Sequence, residues 1–305
     1  MSTHAPARRL SLAFAALGGV ALLLAGCGED TPPTPGDAAS TVTAMGAALR
    51  ANDLAELSRL ALPEDLREQA RARWDAQRAA LPAPSEEESR QFAEALQRLT
   101  AADAEATLMA ELEPMLAQFE AEGAQQLPMM AAMGSGFVQA QIASNPDFND
   151  SQKAHASAVV GALAAWLPTA PLTDRAKAQE AIGAITGTAR AIEITELAQF
   201  QQLGYDDALA KGGLVVAGVK QVFAAYGLDA NASLDGLQAR QVSGEGDAAV
   251  VEVSYPLAGQ TIRFEMPMVR RDGGWYSAEA IAEAEAIAAG DAAGAEAPAA
   301  AEPSP

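Results

Sequence analysis

The chain has 305 residues, 20 basic against 40 acidic, for a net charge of −20, with 50% hydrophobic but only 5% aromatic side chains. So acidic a chain lacks the clustered cations that nucleic acid or an anionic membrane surface demands, and nucleic-acid function is excluded on that ground. A single cysteine leaves no intrachain disulfide, so the core must hold itself together by burial.

The N-terminus carries Arg8 and Arg9, then an uncharged apolar run from Leu10 to Leu24. That is the layout of a secretory signal, and the run is short for a membrane span, which takes about 20 residues. It closes in Leu24-Ala25-Gly26-Cys27, followed by Gly28-Glu29-Asp30. The tetrapeptide resembles the lipobox of bacterial lipoproteins. The resemblance covers residues 1–27 and implies removal of residues 1–26 and a lipid anchor on Cys27. The expected cofactor list is otherwise empty, the covalent groups being a diacylglycerol and an N-acyl chain such as palmitate. It also implies a body facing the periplasm. Gly28, in place of aspartate after the cysteine, points to the outer rather than the inner membrane. Two or three acyl chains hold a protein stably on a bilayer where one does not. Residues 27–40, rich in Pro, Gly and Thr, read as lipidated cysteine and flexible linker.

From 41 to 230 the pattern is helical. Leu54, Leu57 and Leu60 form a stripe after a break near Asn52-Asp53, and Pro63 suits the opening turn of the next helix. There Leu66, Ala70 and Trp74 recur at i, i+4, i+8. Arg67, Arg71 and Arg78 share a face, which reads as a solvated stripe with pairs such as Arg71–Asp75, or as a surface for an acidic partner or another part of the same chain. Ser85 and Glu88 form a capping box, opening a helix with Phe92, Leu96 and Leu99 inward. Leu108, Leu112, Met115, Leu116 and Phe119 mark the next helix, and Met130, Met133 and Phe137 extend the pattern toward Ile142. Five methionines gather here: Met109, Met115, Met129, Met130 and Met133. Such spacing reads first as core filling; second, it is the composition of an adaptable binding surface.

Asp147, Asn149 and Ser151 alternate like a calcium loop, but Gln152 and Ala158 stand where its glycine and glutamate belong, so Asn149 or Asp150 reads as a helix cap. His155 is the one histidine beyond the signal; a lone His without cysteine makes no zinc site, and it reads as an ordinary helix residue. Gly134-Ser135-Gly136 lacks the spacing of a serine-nucleophile elbow and reads as a kink or a close helix crossing. Val159, Val160, Leu163 and Trp166 mark a further helix, Thr173 is a candidate cap for the next, and Gly204 a candidate stop. The last long helix runs over Leu209–Tyr226, with Val215, Val219, Val222 and Tyr226 inward.

Beyond about 236 the period falls to two. Val251, Val253 and Tyr255 alternate with polar positions, as do Ile262, Phe264 and Met266, and Asp272-Gly273 signals a hairpin turn. Pro267 assigns its strand to an edge or a bulge. The ending Met268–Tyr276 is similar to the last hairpin of cone-shaped domains related to nuclear transport factor, which implies a sheet curled around a pocket or used for dimerisation. Residues 288–305 have the composition of a disordered tail.

The fold expected is α+β and predominantly α: a multi-helix body, then a small C-terminal antiparallel β-meander with a short helix in 231–287, packed on the helices under Leu209–Tyr226. No catalytic motif stands out. The favoured function is a non-enzymatic, membrane-anchored, periplasm-facing module that binds protein or envelope components, with an envelope protein the expected partner. The alternative is a carrier or sensor of an apolar small molecule held near the methionines or under Phe264.

Overall fold

The computed structural model describes residues 36–146 and 148–296. The signal segment, Cys27 and Asp147 lie outside the described residues, as does the tail beyond 296. The architecture is α+β and predominantly α: helices from Ala38 onward, then a four-stranded sheet of order β1-β2-β3-β4, then a final helix.

Helix α1 (Ala38–Ala51) opens on Asp37, whose carboxylate caps the Ser40 amide, so residues 38–40 belong to the first helix and not to the linker. Asn52, at φ 61°, ends it in the left-handed conformation, and Asp53 caps α2 (Leu54–Ala61). Helices α3 (Glu64–Ala80), α4 (Glu86–Thr100) and α5 (Ala104–Gln118) follow, α4 opening on the Ser85–Glu88 capping box. Five residues of π-helix, Phe119–Gly123, turn the chain toward α6 (Leu127–Ser144). Then come α7 (Asp150–Trp166), α8 (Arg175–Ile192), α9 (Leu197–Gln201), α10 (Tyr205–Ala225) and α11 (Ala230–Asp235). Asp174 rather than Thr173 caps α8, and Gly204 is the residue before α10, not a stop.

α10 is long and apolar enough to cross a membrane by length and composition. Here it packs beside α8 and α2. Its inward face is not the valine stripe: Tyr205, Leu209, Gly213, Gly218 and Ala225 are buried, whereas Val215 is exposed. Close approach explains this. A Cβ on Gly213 would stand 2.3 Å from the Asn52 carbonyl oxygen, and one on Gly218 would stand 2.0 Å from Thr188 Oγ1. Small residues face the neighbours and the valines flank them.

The strands β1 (Gln238–Glu245), β2 (Ala248–Leu257), β3 (Gln260–Arg271) and β4 (Gly274–Ser277) form an antiparallel meander. Its two later turns, Ala258-Gly259 and Asp272-Gly273, hold all four residues at positive φ, as two-residue hairpins require. Val251 pairs with Met266 and Val253 with Phe264, so one face carries the apolar set. That face is covered by Ala38 and Val42 of α1, from the opposite end of the chain, in a cluster with Ala249, Val251, Val253 and Met268. The cover expected of Leu209–Tyr226 is thus supplied chiefly by α1, with α7 lying over β3. α1 can approach closely because its inward residues are small.

β3 is interior in strand order, yet β4 pairs only with Met268–Arg271. Pro267 falls just beyond that pairing, where its missing N–H costs no ladder bond. α7 caps the open stretch: Ser151 Oγ donates to the Glu265 carbonyl at 2.9 Å. Helix α12 (Ala278–Glu296) follows, burying Ala280 and Ile281 against Ala61, Leu62 and Leu66. Residues 288–296 are helical rather than a disordered tail, because alanine at this density has the highest helix propensity of any residue.

Candidate functional site

Two features stand apart from the packed body. The first is α6. Its 18 residues include no charged side chain, yet its inward contacts are few, with only Ala131 and Ile142 buried. Met129, Met130, Met133 and Phe137 recur at i, i+1, i+4, i+8 and so share one stripe. That stripe faces water: Met133 is 69% and Phe137 67% exposed. The core-filling reading of these methionines is therefore corrected. A helix whose inward side is Ala131 and Ile142 turns its largest side chains outward. Glycines 134 and 136 have open space where a Cβ would stand, so they mark no helix crossing.

Met115, 60% exposed, lies on α5 and lines a groove of about 390 Å3 with Phe119, Glu122 and Gln126 around the π turn. Met109 is half-buried on α5, away from that surface stripe. Phe264 belongs to the sheet. The structure thus brings Met129, Met130 and Met133 together, sets Met115 beside the adjoining groove, and separates Met109 and Phe264 from them.

The second feature is a half-open cavity of about 280 Å3, where α1, α2, α7, β3 and the start of α12 meet. Met45, Leu57 and Ala61 form one wall and Phe264 and Met266 another; His155, Glu279 and Glu283 stand at its edge. The His155 ring stacks on Phe264 with centroids 4.0 Å apart and planes at 17°, and its Nε2 lies 2.8 Å from the Tyr255 hydroxyl. Burial lowers the His155 pKa and raises that of Tyr255 to about 12. A neutral imidazole and a phenol that keeps its proton share this hydrogen bond, the imidazole tautomer setting which of them donates. Sequence periodicity treats His155 as an ordinary helix residue, because its partners lie some hundred residues away and leave no local trace.

Elsewhere the polar features are structural. Arg71 makes a bidentate pair with Asp206 of α10 at 2.7 and 2.8 Å. Arg78 bonds the Gln202 carbonyl, and Trp74 Nε1 the Leu203 carbonyl, so the basic stripe serves this chain's own α9–α10 turn. Asn149 caps α7 through the Gln152 amide, as its place after the loop predicts. Glu105 bonds Arg190 and Thr186, which holds its carboxyl down at about 2. Among the described residues no group of three His, Cys, Asp or Glu is placed to hold a metal ion. No family model, curated protein or solved structure matches the chain.

Proposed function

We propose that this protein is a lipid-anchored, periplasm-facing binding module, without enzymatic chemistry of its own, that docks an envelope protein on the outward stripe of α6. The lipobox at 24–27 supports the anchor on Cys27, and Gly28 supports the outer membrane. The observation that carries the docking role is the exposure of Met129, Met130, Met133 and Phe137 on a charge-free helix of a chain with net charge −20. Contiguous exposed apolar surface is a mark of interaction sites, and methionine adapts to a partner's shape.

The occupant is an apolar helical segment of a protein rather than the bilayer. Helices that lie in a membrane surface carry Lys and Arg along the polar face, whereas α6 has neither and is preceded by Glu120 and Glu122. A helix laid along the stripe and the π-turn groove would place apolar anchors at i, i+3, i+4 and i+7, the pattern of helix-in-groove recognition. Basic residues flanking that segment would complement the two glutamates.

The test is a photo-crosslinking side chain at position 133 in the anchored protein within cells, with position 94 on charged α4 as control. A discrete protein adduct at 133 alone, lost on adding Phe137→Glu, is the expected result. An adduct to phospholipid, or equal adducts at both positions, would overturn the assignment.

A further inference from the structure

The cavity beneath Phe264 is separate from the α6 stripe and has a charge pattern of its own. Two carboxylates of α12, Glu279 and Glu283, line it and no Lys or Arg does; the Glu265 side chain alternates to the other face of β3 from Phe264 and Met266, and only its backbone belongs to the wall. The ionic partners of the body lie elsewhere: among the described residues no salt bridge engages Glu279 or Glu283. Glu279 accepts a hydrogen bond from the Asn149 side chain, which steadies one carboxylate at the mouth. His155 adds no positive charge, since its ring is held neutral against Phe264 and Tyr255. Partial burial raises the Glu283 carboxyl above its ordinary value.

The remaining walls are apolar: Met45, Leu57 and Ala61 face Phe264 and Met266. A volume of about 280 Å3 sits at the small end of ligand pockets, room for one ring or a short chain. An anionic ligand would meet two carboxylates without a counter-charge. A neutral one would leave them unused. We propose that this cavity binds a small organic amine as its ammonium ion, the alkyl or aryl body against Phe264, Met266 and Leu57 and the ammonium between Glu279 and Glu283. No covalent step is involved. Binding is charge-assisted hydrogen bonding at the mouth with burial of the apolar body inside.

Three six-carbon probes of matched length separate the possibilities: hexylammonium, hexanol and hexanoate. The readout is the NMR shift of methyl-labelled Met45 and Met266 in the full mature chain at pH 7, each assigned by its Met→Leu variant. Hexylammonium is expected to shift both methyls saturably and to bind about tenfold tighter than hexanol, with hexanoate giving no saturable shift. Glu283→Gln should bring the amine close to hexanol, and Ala280→Leu, which narrows the cavity, should weaken both. Because Glu283 sits at the solvent edge, its variant keeps the fold, and an unchanged methyl spectrum without ligand verifies that. Binding of hexanoate or hexanol as tightly as hexylammonium would overturn the proposal. So would the absence of a saturable amine shift in the folded wild type.

Discussion

Met268→Ala probes the joint between the two ends of the chain. Met268 is 1% exposed, on β3, in the cluster where Ala38 and Val42 of α1 meet Ala249, Val251 and Val253. Truncating a buried methionine to alanine removes its transfer energy and leaves a cavity, together about 2–5 kcal/mol. The site can relax little, because its neighbours are alanines and β-branched valines with few rotamers, so a central loss of about 3 kcal/mol is expected. For a body of this size each kcal/mol moves the midpoint by roughly 2–4 °C, giving a fall of about 6–12 °C by calorimetry. The sharper assay is hydrogen exchange. Because α1 and the sheet close one core, protection should fall together in 38–51 and 248–271. If the sheet loosened while α1 kept full protection, or if the midpoint moved by less than about 2 °C, the shared core would be wrong.

Gly213→Ala should destabilise by about 1–3 kcal/mol, measured by denaturant unfolding, since the new methyl meets the Asn52 carbonyl at 2.3 Å, whereas Gly134→Ala, with open space, should cost nothing or stabilise. His155, neutral when folded, binds a proton more readily unfolded, from its ordinary pKa of 6.5 downward. Its contribution is therefore full above that pH and lost as pH falls below it, and His155→Gln should flatten the drop in melting temperature between pH 7 and 5. A retained drop of the same size would assign it to other groups. Removing residues 290–305 should move the melting temperature by less than about 2 °C, because α12 buries Ala280 and Ile281 in its opening turns. Cys27→Ala should abolish incorporation of labelled palmitate, and processing of that variant like wild type would contradict the lipid anchor.

Helix positions were legible because caps and the 3.6 period are local: the Ser85–Glu88 box and the Asn149 cap stand where their residues predict. The meander was legible for the same reason, its period of two and Asp272-Gly273 turn lying within forty residues. What covers the sheet was not. The inward face of α1 is Ala38, Thr41, Val42, Gly46 and Ala48, small residues that a search for large apolar side chains at helical spacing passes over. The valines of α10 advertise a core face that the close glycine packing displaces. An apolar stripe at helical spacing looks identical whether it faces a core or a partner, so the methionines of α6 read as core until their exposure is seen. The cavity was beyond reach because its walls come from residues 45 to 283.

Docking on α6 is tested most directly by methionine oxidation, compared between the purified protein and intact cell envelopes. Met129, Met130 and Met133 are 54–69% exposed and should oxidise readily in the isolated chain, while buried Met268 serves as the internal control in both settings. A bound envelope partner predicts that the three α6 methionines become protected in the envelope with Met268 unchanged. Equal oxidation of Met129, Met130 and Met133 in both settings would contradict it.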